Sequence, residues 1–363
     1  MTAPYRLACI GAARMASWFD DIQRERAQRD GGRSLEWVPG SIASVCAALD
    51  NVELVAVCDL QMARVEEMQA RWGVGAGYTD YREMLEREHP DVVAIVTSYG
   101  STHAALAAAV AETEGVRAIY CEKPIATSMA EADRITAACE RHGVRYSCAH
   151  VFRWNARYRQ ALDWIRDDAI GEVRAITCRG MGTLLHSGTH QADALAGLAG
   201  DADLEWAFGV VDAPHDRPRA DRAALDPPGG GYVRLRNGVD LLMDGRSPGP
   251  RVLQVSGTQG MICLWNDLRE VQLWQCPSGS TSLGSSGDFV PGPILAPPQP
   301  QSYALTQMAE LLDVLDHGGR ASCDEVKAAR ALEMVLGLHL SHRAGGCKVA
   351  FPLQQRHFGV DTV

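Results

Sequence analysis

Five short, nearly unbroken apolar runs, each closed by a polar turn, constrain this chain more than any other feature: Tyr5 to Ile10, Val52 to Cys58, Val92 to Val96, Ala118 to Cys121 and Val144 to Ala149. A strand with one wet face alternates apolar and polar residues, so unbroken runs indicate strands covered on both faces. Helical stretches with clear punctuation lie between them. Gly73 ends the helix Met62 to Trp72, Asp80 with Glu83 and Ser128 with Glu131 form capping boxes, and Gly143 stops the helix that reaches His142. The alternation predicts an α/β domain over residues 1–150 built on a parallel sheet covered on both faces.

Open sheets of this kind bind ligands beyond the carboxyl ends of their strands, so the turns there carry the chemistry. Gly11-Ala12-Ala13-Arg14-Met15-Ala16 stands where a dinucleotide-binding fold has GxGxxG, with one glycine of three kept. Gly11 makes the tight turn, Ala13 stands where the phosphates come nearest, and Arg14 and Met15 open the helix. A plain strand-to-helix turn accounts for the same residues. Residues 18–40, charged and glycine-containing, read as an insertion that interrupts this helix before a helical stretch from Ser41 to Leu49. Asp59 ends the second apolar run in the position that receives an adenosine ribose diol, although the insertion lengthens its spacing from Gly11 beyond the usual ~20 residues. With no basic residue immediately after it, Asp59 favours NAD(H), with NADP(H) the alternative. An Asp that caps the helix Met62 to Trp72 is the competing reading.

Thr97, Ser98 and His103 belong to a polar turn that opens an Ala-rich helix into the same crevice. Cys121-Glu122-Lys123-Pro124 closes the fourth apolar run and places an ammonium, beside a carboxylate, where such sheets hold their ligands. A surface lysine in an ordinary loop is the plain alternative.

Beyond residue 150 the pattern changes. An amphipathic helix from Arg157 to Ile165 and a strand from Gly171 to Arg179 precede a segment containing His186, Gly188, Thr189, His190 and Asp193. Gly188 makes one unbroken helix through both histidines unfavourable. His186 is expected in the entering loop and His190 in the first helical turn, with Thr189 a capping candidate. The two histidines lack evident third and fourth partners for zinc, so no metal is expected. From Leu204 the runs are short strands, and Asn237-Gly238 marks a hairpin. These suit an antiparallel sheet. Residues 277–300, rich in Ser, Gly and Pro, read as a long loop. Two helices follow, Gln301 to Asp316 and Asp324 to Ser341, the second capped by Ser322 with Glu325. The division expected is 1–150 and 151–363.

A net charge of −10 argues against nucleic acid as a main partner, which needs a clustered basic surface. The eleven cysteines are scattered without a CxxC pair and read as reduced thiols in a cytoplasmic protein. No apolar run approaches the about 18 residues a membrane span needs.

Together the Gly11 turn, Asp59, the turn from Thr97 to His103, Glu122-Lys123-Pro124 and the His190 segment ending in Asp193 resemble the glucose-fructose oxidoreductase and inositol dehydrogenase (Gfo/Idh/MocA) family over nearly the whole chain. The resemblance implies an N-terminal Rossmann domain and a C-terminal α/β domain with a large open sheet, through which members form dimers or tetramers. It implies bound NAD(H) or NADP(H) and oxidation or reduction of secondary alcohols on sugars and cyclitols. Carried onto this sequence, Lys123 holds the reacting oxygen, His190 is the general acid/base and Glu122 orients Lys123. His186, Arg153, Trp154 and Asp193 are pocket candidates. His186 stands where the family has Asp, exchanging a fixed acceptor for a group that also donates and titrates near neutrality. Two other functions remain open: redox-neutral elimination or epimerisation on transiently reduced NAD, and a non-catalytic ligand-binding homologue.

Overall fold

The computed structural model describes residues 3–29, 38–98, 100–180, 182–212, 222–223, 226–247, 249–276, 289–295 and 301–360. Two compact units comprise residues 1–151 with 299–329, and residues 152–298 with 330–363. The expected division at 150 is therefore incomplete, since a segment near the end of the chain returns to the first unit. The return follows from packing: Met308, Leu311 and Leu312 complete the same core as Leu7, Val92 and Tyr120.

In the first unit β1 (Tyr5–Ile10) leads through a π-helical turn (Arg14–Trp18) into α1 (Phe19–Arg29) and α2 (Ile42–Ala47). Then come β2 (Val52–Cys58), α3 (Met62–Trp72), β3 (Ala76–Tyr78), α4 (Tyr81–Glu88), β4 (Val92–Ile95), α5 (Gly100–Ala111), β5 (Ala118–Cys121), α6 (Met129–His142) and β6 (Arg145–Cys148). All six strands are parallel in the order β3-β2-β1-β4-β5-β6. Every residue of β4 and β5 is buried, as strands covered on both faces require. The short edge strand β3 is the one that apolar runs do not reveal.

The stretch 18–40 is a correction. Far from breaking the first helix, Phe19–Arg29 continues it, and residues 30–37 lie outside those described. Its buried stripe is Asp20, Gln23 and Ala27, at helical spacing but mostly polar. Buried Asp20 accepts from the Gly40 N–H (2.8 Å), the Ser41 N–H (3.2 Å) and the Ser44 hydroxyl (3.0 Å), tying α1 to the start of α2.

The second unit opens with a 3-10 turn (Val151–Trp154) shared with the end of the first. Its elements are α7 (Ala156–Arg166), β7 (Val173–Arg179), α8 (Gly188–Leu198), β8 (Leu204–Val211), β9 (Arg222–Ala223), β10 (Gly229–Leu235), β11 (Asp240–Asp244), β12 (Val252–Gly257), β13 (Gly260–Trp265), β14 (Glu270–Gln275) and β15 (Val290–Pro291). After α9 (Tyr303–His317), which belongs to the first unit, the boundary between units falls within α10 (Glu325–Arg343), and β16 (Val349–Ala350) and β17 (Gly359–Val360) follow. Nine strands form one sheet, β15-β14-β13-β12-β7-β11-β10-β8-β16, antiparallel except where β7 meets β11. The hairpin at Asn237-Gly238 joins β10 to β11, with Gly238 at φ 85°. One face of the sheet is covered: a Cβ at Gly209 would lie 2.2 Å from the Leu338 carbonyl oxygen of α10, so only glycine admits this approach. The opposite face shows Phe208 (41% exposed), Val210 (52%) and Leu242 (40%), beside Trp206 stacked on Tyr232.

Two smaller corrections concern the last segments. Ser322 does not cap α10; its N–H donates to Glu310 (3.0 Å), and Asp324 accepts from the Lys327 N–H (2.9 Å) instead. Of the loop 277–300, residues 277–288 and 296–300 lie outside those described, and 290–291 form β15. All eleven cysteines are free thiols, and no helix among the described residues is long and apolar enough to cross a membrane.

Candidate functional site

The first unit gathers the expected cofactor residues at the carboxyl ends of β1, β2, β4 and β5. Gly11 has φ +106°, and a Cβ there would approach the Val96 carbonyl oxygen to 2.9 Å, so the first glycine of the degenerate motif is held by two independent constraints. Ala13, at φ −95° and ψ −144°, does not take the positive φ that calls for glycine, so its methyl bears on the approach of the phosphates and not on the backbone. Arg14 is exposed with its guanidinium 5.0 Å over the Phe19 ring, and Met15 is half-buried.

Asp59 joins this turn directly. Its Oδ2 accepts from the Ala12 N–H at 3.0 Å and its Oδ1 from the Gln61 N–H at 3.0 Å. Gln61 is the residue before α3, so Asp59 braces the helix start as well as facing the turn. A carboxylate has about four lone-pair positions, and two remain for a diol. The glycine turn and this carboxylate thus fit a dinucleotide. Arg64, with a guanidinium nitrogen 4.0 Å from Asp59 Oδ2, is a neighbour that reading the sequence only one residue beyond Asp59 misses.

His103 is buried, with Nδ1 2.7 Å from the Pro124 carbonyl oxygen and Nε2 3.1 Å from that of Thr97. Both ring nitrogens face backbone carbonyls and the one that carries the proton donates, so its contribution is to pack the two site turns against one ring. The Thr97 and Thr102 hydroxyls share a 2.6 Å bond, and Ser98 is exposed. The Glu122 N–H donates to the Ile95 carbonyl (2.9 Å), continuing the β4–β5 ladder, and its carboxylate accepts weakly from the Lys123 N–H at 3.3 Å. Glu122 thereby braces the turn from which the half-buried Lys123 projects.

In the second unit His190 lies in the first turn of α8 and exposed His186 in the turn before it, as Gly188 predicts. The capping does not follow expectation. Thr189 donates back to the Leu185 carbonyl (2.9 Å), and Asp226, some forty residues on in sequence, accepts from the Leu185 and His186 N–H groups at 2.7 Å each. His190 is half-buried with its ring 5.7 Å from that of Phe152.

Arg153, Trp154 and Asp193 are interior residues, with 8%, 0% and 0% of their surface exposed. Arg153 meets Asp193 edge-on through two bonds (2.7 and 2.8 Å) and Asp201 through two more (2.9 and 2.7 Å). Burial alone would lower the pKa of this guanidinium, but the two carboxylates outweigh it and raise the pKa well above its ordinary value. The three residues expected to line a pocket therefore build the core of the unit: the arginine has its donors engaged, and the indole and carboxylate present no open surface. Asp201, which completes the pairing, has no local pattern to mark it.

Comparison with known proteins agrees with this architecture. A family model described as "Oxidoreductase family, NAD-binding Rossmann fold" matches residues 39–150. D-apiose dehydrogenase of Paraburkholderia graminis is 37% identical over 34% of this chain and 32% of its own length. Myo-inositol 2-dehydrogenase of Thermotoga maritima is 28% identical over 36% of this chain and 39% of its own length. The matches to these relatives thus span roughly a third of each. Over 97% of this chain and all of the other, the fold is similar to the WlbA dehydrogenase of Bordetella pertussis, solved with NADH and UDP-GlcNAcA, at a TM-score of 0.70 and 17% identity.

Proposed function

We propose that this chain, whose residues 39–150 match the Gfo/Idh/MocA oxidoreductase family model, is a member of that family and interconverts a secondary alcohol and a ketone on a sugar, cyclitol or similar polyhydroxylated molecule, with NAD(H) as cofactor. The observation that carries the reading is the convergence of Gly11, Asp59, the Thr97 turn and Glu122-Lys123 at the carboxyl ends of four adjacent parallel strands, joined by the Ala12–Asp59 and His103–Pro124 bonds. The nicotinamide, when bound, accepts or supplies the hydride. In alcohol oxidation the hydroxyl proton passes to His190; in ketone reduction His190 returns it, and the Lys123 ammonium stabilises the negative charge that grows on oxygen. Asp59 supports NAD(H) over NADP(H), since it accepts from a ribose diol and repels a 2′-phosphate.

The exposed apolar residues of the nine-stranded sheet support self-association through that face into a dimer or tetramer. The decisive experiment is identification of the nucleotide released on denaturing the purified protein, followed by NADH formation with a panel of sugars and cyclitols. Release of no nucleotide, together with no NAD binding, would leave the fold as that of a ligand-binding homologue.

A further inference from the structure

The turn between β13 and β14 holds three consecutive non-glycine residues in the left-handed region, Asn266, Asp267 and Leu268 at φ 53°, 57° and 62°. Asparagine and aspartate tolerate this region; leucine does so at a cost of about 1 kcal/mol or more and needs a compensating contact. Leu268 is fully buried, which fixes the turn. The effect is to set Asp267 against Arg251: its carboxylate accepts from the Arg251 N–H at 3.1 Å, and its own N–H donates to the Arg251 carbonyl at 3.3 Å.

The Arg251 guanidinium lies 5.3 Å over the Phe152 ring, the same ring that contacts His190. The amide of buried Gln191, next to His190 in α8, satisfies both its neighbours when its nitrogen faces the Ser187 carbonyl and its oxygen accepts from Arg251 Nε at 2.7 Å. One edge of the guanidinium is therefore anchored. The other is open: Nη1 reaches Asp267 only at 3.5 Å, and Nη2 has no partner among the described residues. Arg153 shows the contrast within the same unit, buried and ringed by carboxylates on both edges. A side chain stacked, anchored and one-third exposed has an oriented fork and little rotamer freedom left to lose.

Resting on His190 as the proton-transfer residue, we propose that Arg251 recognises a carboxylate on the substrate, so that the alcohol is carried by a sugar acid, an aldonate or uronate, and not by a neutral sugar or cyclitol. The planar fork matches a carboxylate through two parallel hydrogen bonds.

The test is calorimetric titration of the NAD-loaded full chain with D-gluconate and D-glucuronate against D-glucose and myo-inositol, with D-glucose 6-phosphate as a third arm. At least one acid is expected to bind about tenfold or more tightly than either neutral compound, the scale of one charge-assisted contact. Arg251→Gln should collapse that acid-to-neutral ratio towards one, and Arg251→Lys should keep part of it, which guards against a misfolded glutamine variant. Equal affinities in the wild type, absence of acid binding, preference for the phosphate, or a ratio unchanged in Arg251→Gln overturns the proposal. His190→Ala separates the two readings. If it abolishes turnover and keeps the acid preference, both hold; full turnover with the preference kept removes His190 and leaves Arg251.

Discussion

Ala12 donates its backbone N–H to Asp59 across 3.0 Å, so the glycine turn and the acid at the end of β2 form one hydrogen-bonded unit. Replacing Asp59 therefore acts on the shape of the turn as well as on a ribose contact. Asp59→Asn keeps the acceptor oxygen and removes the charge. NAD affinity should fall about tenfold, one charge-assisted hydrogen bond, while the ratio of NADP to NAD affinity rises, since Arg64 is then no longer held by a carboxylate. Parallel titrations of both nucleotides read this directly, and an unchanged ratio would show that Asp59 does not face the 2′ position.

Lys123→Ala and His190→Ala should each retain NAD binding and lose about 10²-fold or more in kcat, the scale of a missing electrostatic or acid/base group. Stopped turnover with normal NAD affinity is the signature. Should wild-type turnover proceed without net NADH accumulation, the same residues serve a redox-neutral elimination or epimerisation.

Arg153→Ala should be the most destabilising single change outside the apolar cores. It takes the guanidinium from the fully buried Asp193 and leaves the partly buried Asp201 its longer 3.5 Å contact with Arg330, and loss of one member of a buried pair costs about 3–5 kcal/mol. Urea unfolding checks it. A loss below ~1 kcal/mol, the range of surface pairs, would mean that the group opens to water.

His339 sets a pH dependence. Burial, then the charges of His342 and Arg343, push its pKa down from 6.5 to about 4. Between these values the unfolded chain binds more protons than the folded one, so stability rises with pH across that window. It is fully present above about 6.5 and falls towards pH 4 by about 3 kcal/mol in all, at ~1.4 kcal/mol per unit. Its Nε2 has no hydrogen-bond partner among the described residues, so His339→Leu should flatten the profile at little cost near neutrality. Thermal melts from pH 4 to 8 on both proteins measure the difference.

What the sequence made legible was local. The apolar runs, the glycine stops and the Ser128–Glu131 box each act within a few residues, and the structure forms them where pattern places them. Gly188 likewise separated His186 from His190 correctly. The failures share a cause. Asp20 and Gln23 look like surface residues until Gly40 and Ser41 come round to meet Asp20, and Arg153 looks like a ligand-binding arginine until Asp193 and Asp201, 40 and 48 residues away, close on it. A polar residue announces a need for partners, and distant chain supplies them. Arg251 escaped notice for the same reason, since its neighbours Phe152 and Gln191 come from far along the chain.

The return of residues 299–329 to the first unit bears on how the chain is made. Until α9 emerges, the sheet built from β1 to β6 lacks Met308, Leu311 and Leu312 and carries an uncovered apolar side. The customary sequence of synthesis, in which an N-terminal domain is complete before the next begins, is closed to it. The second unit waits in turn for residues 330–363. Neither unit is complete until chain beyond residue 298 has been made, and a fragment ending at residue 150 should be sticky and chaperone-bound where a self-sufficient domain of that length would not be.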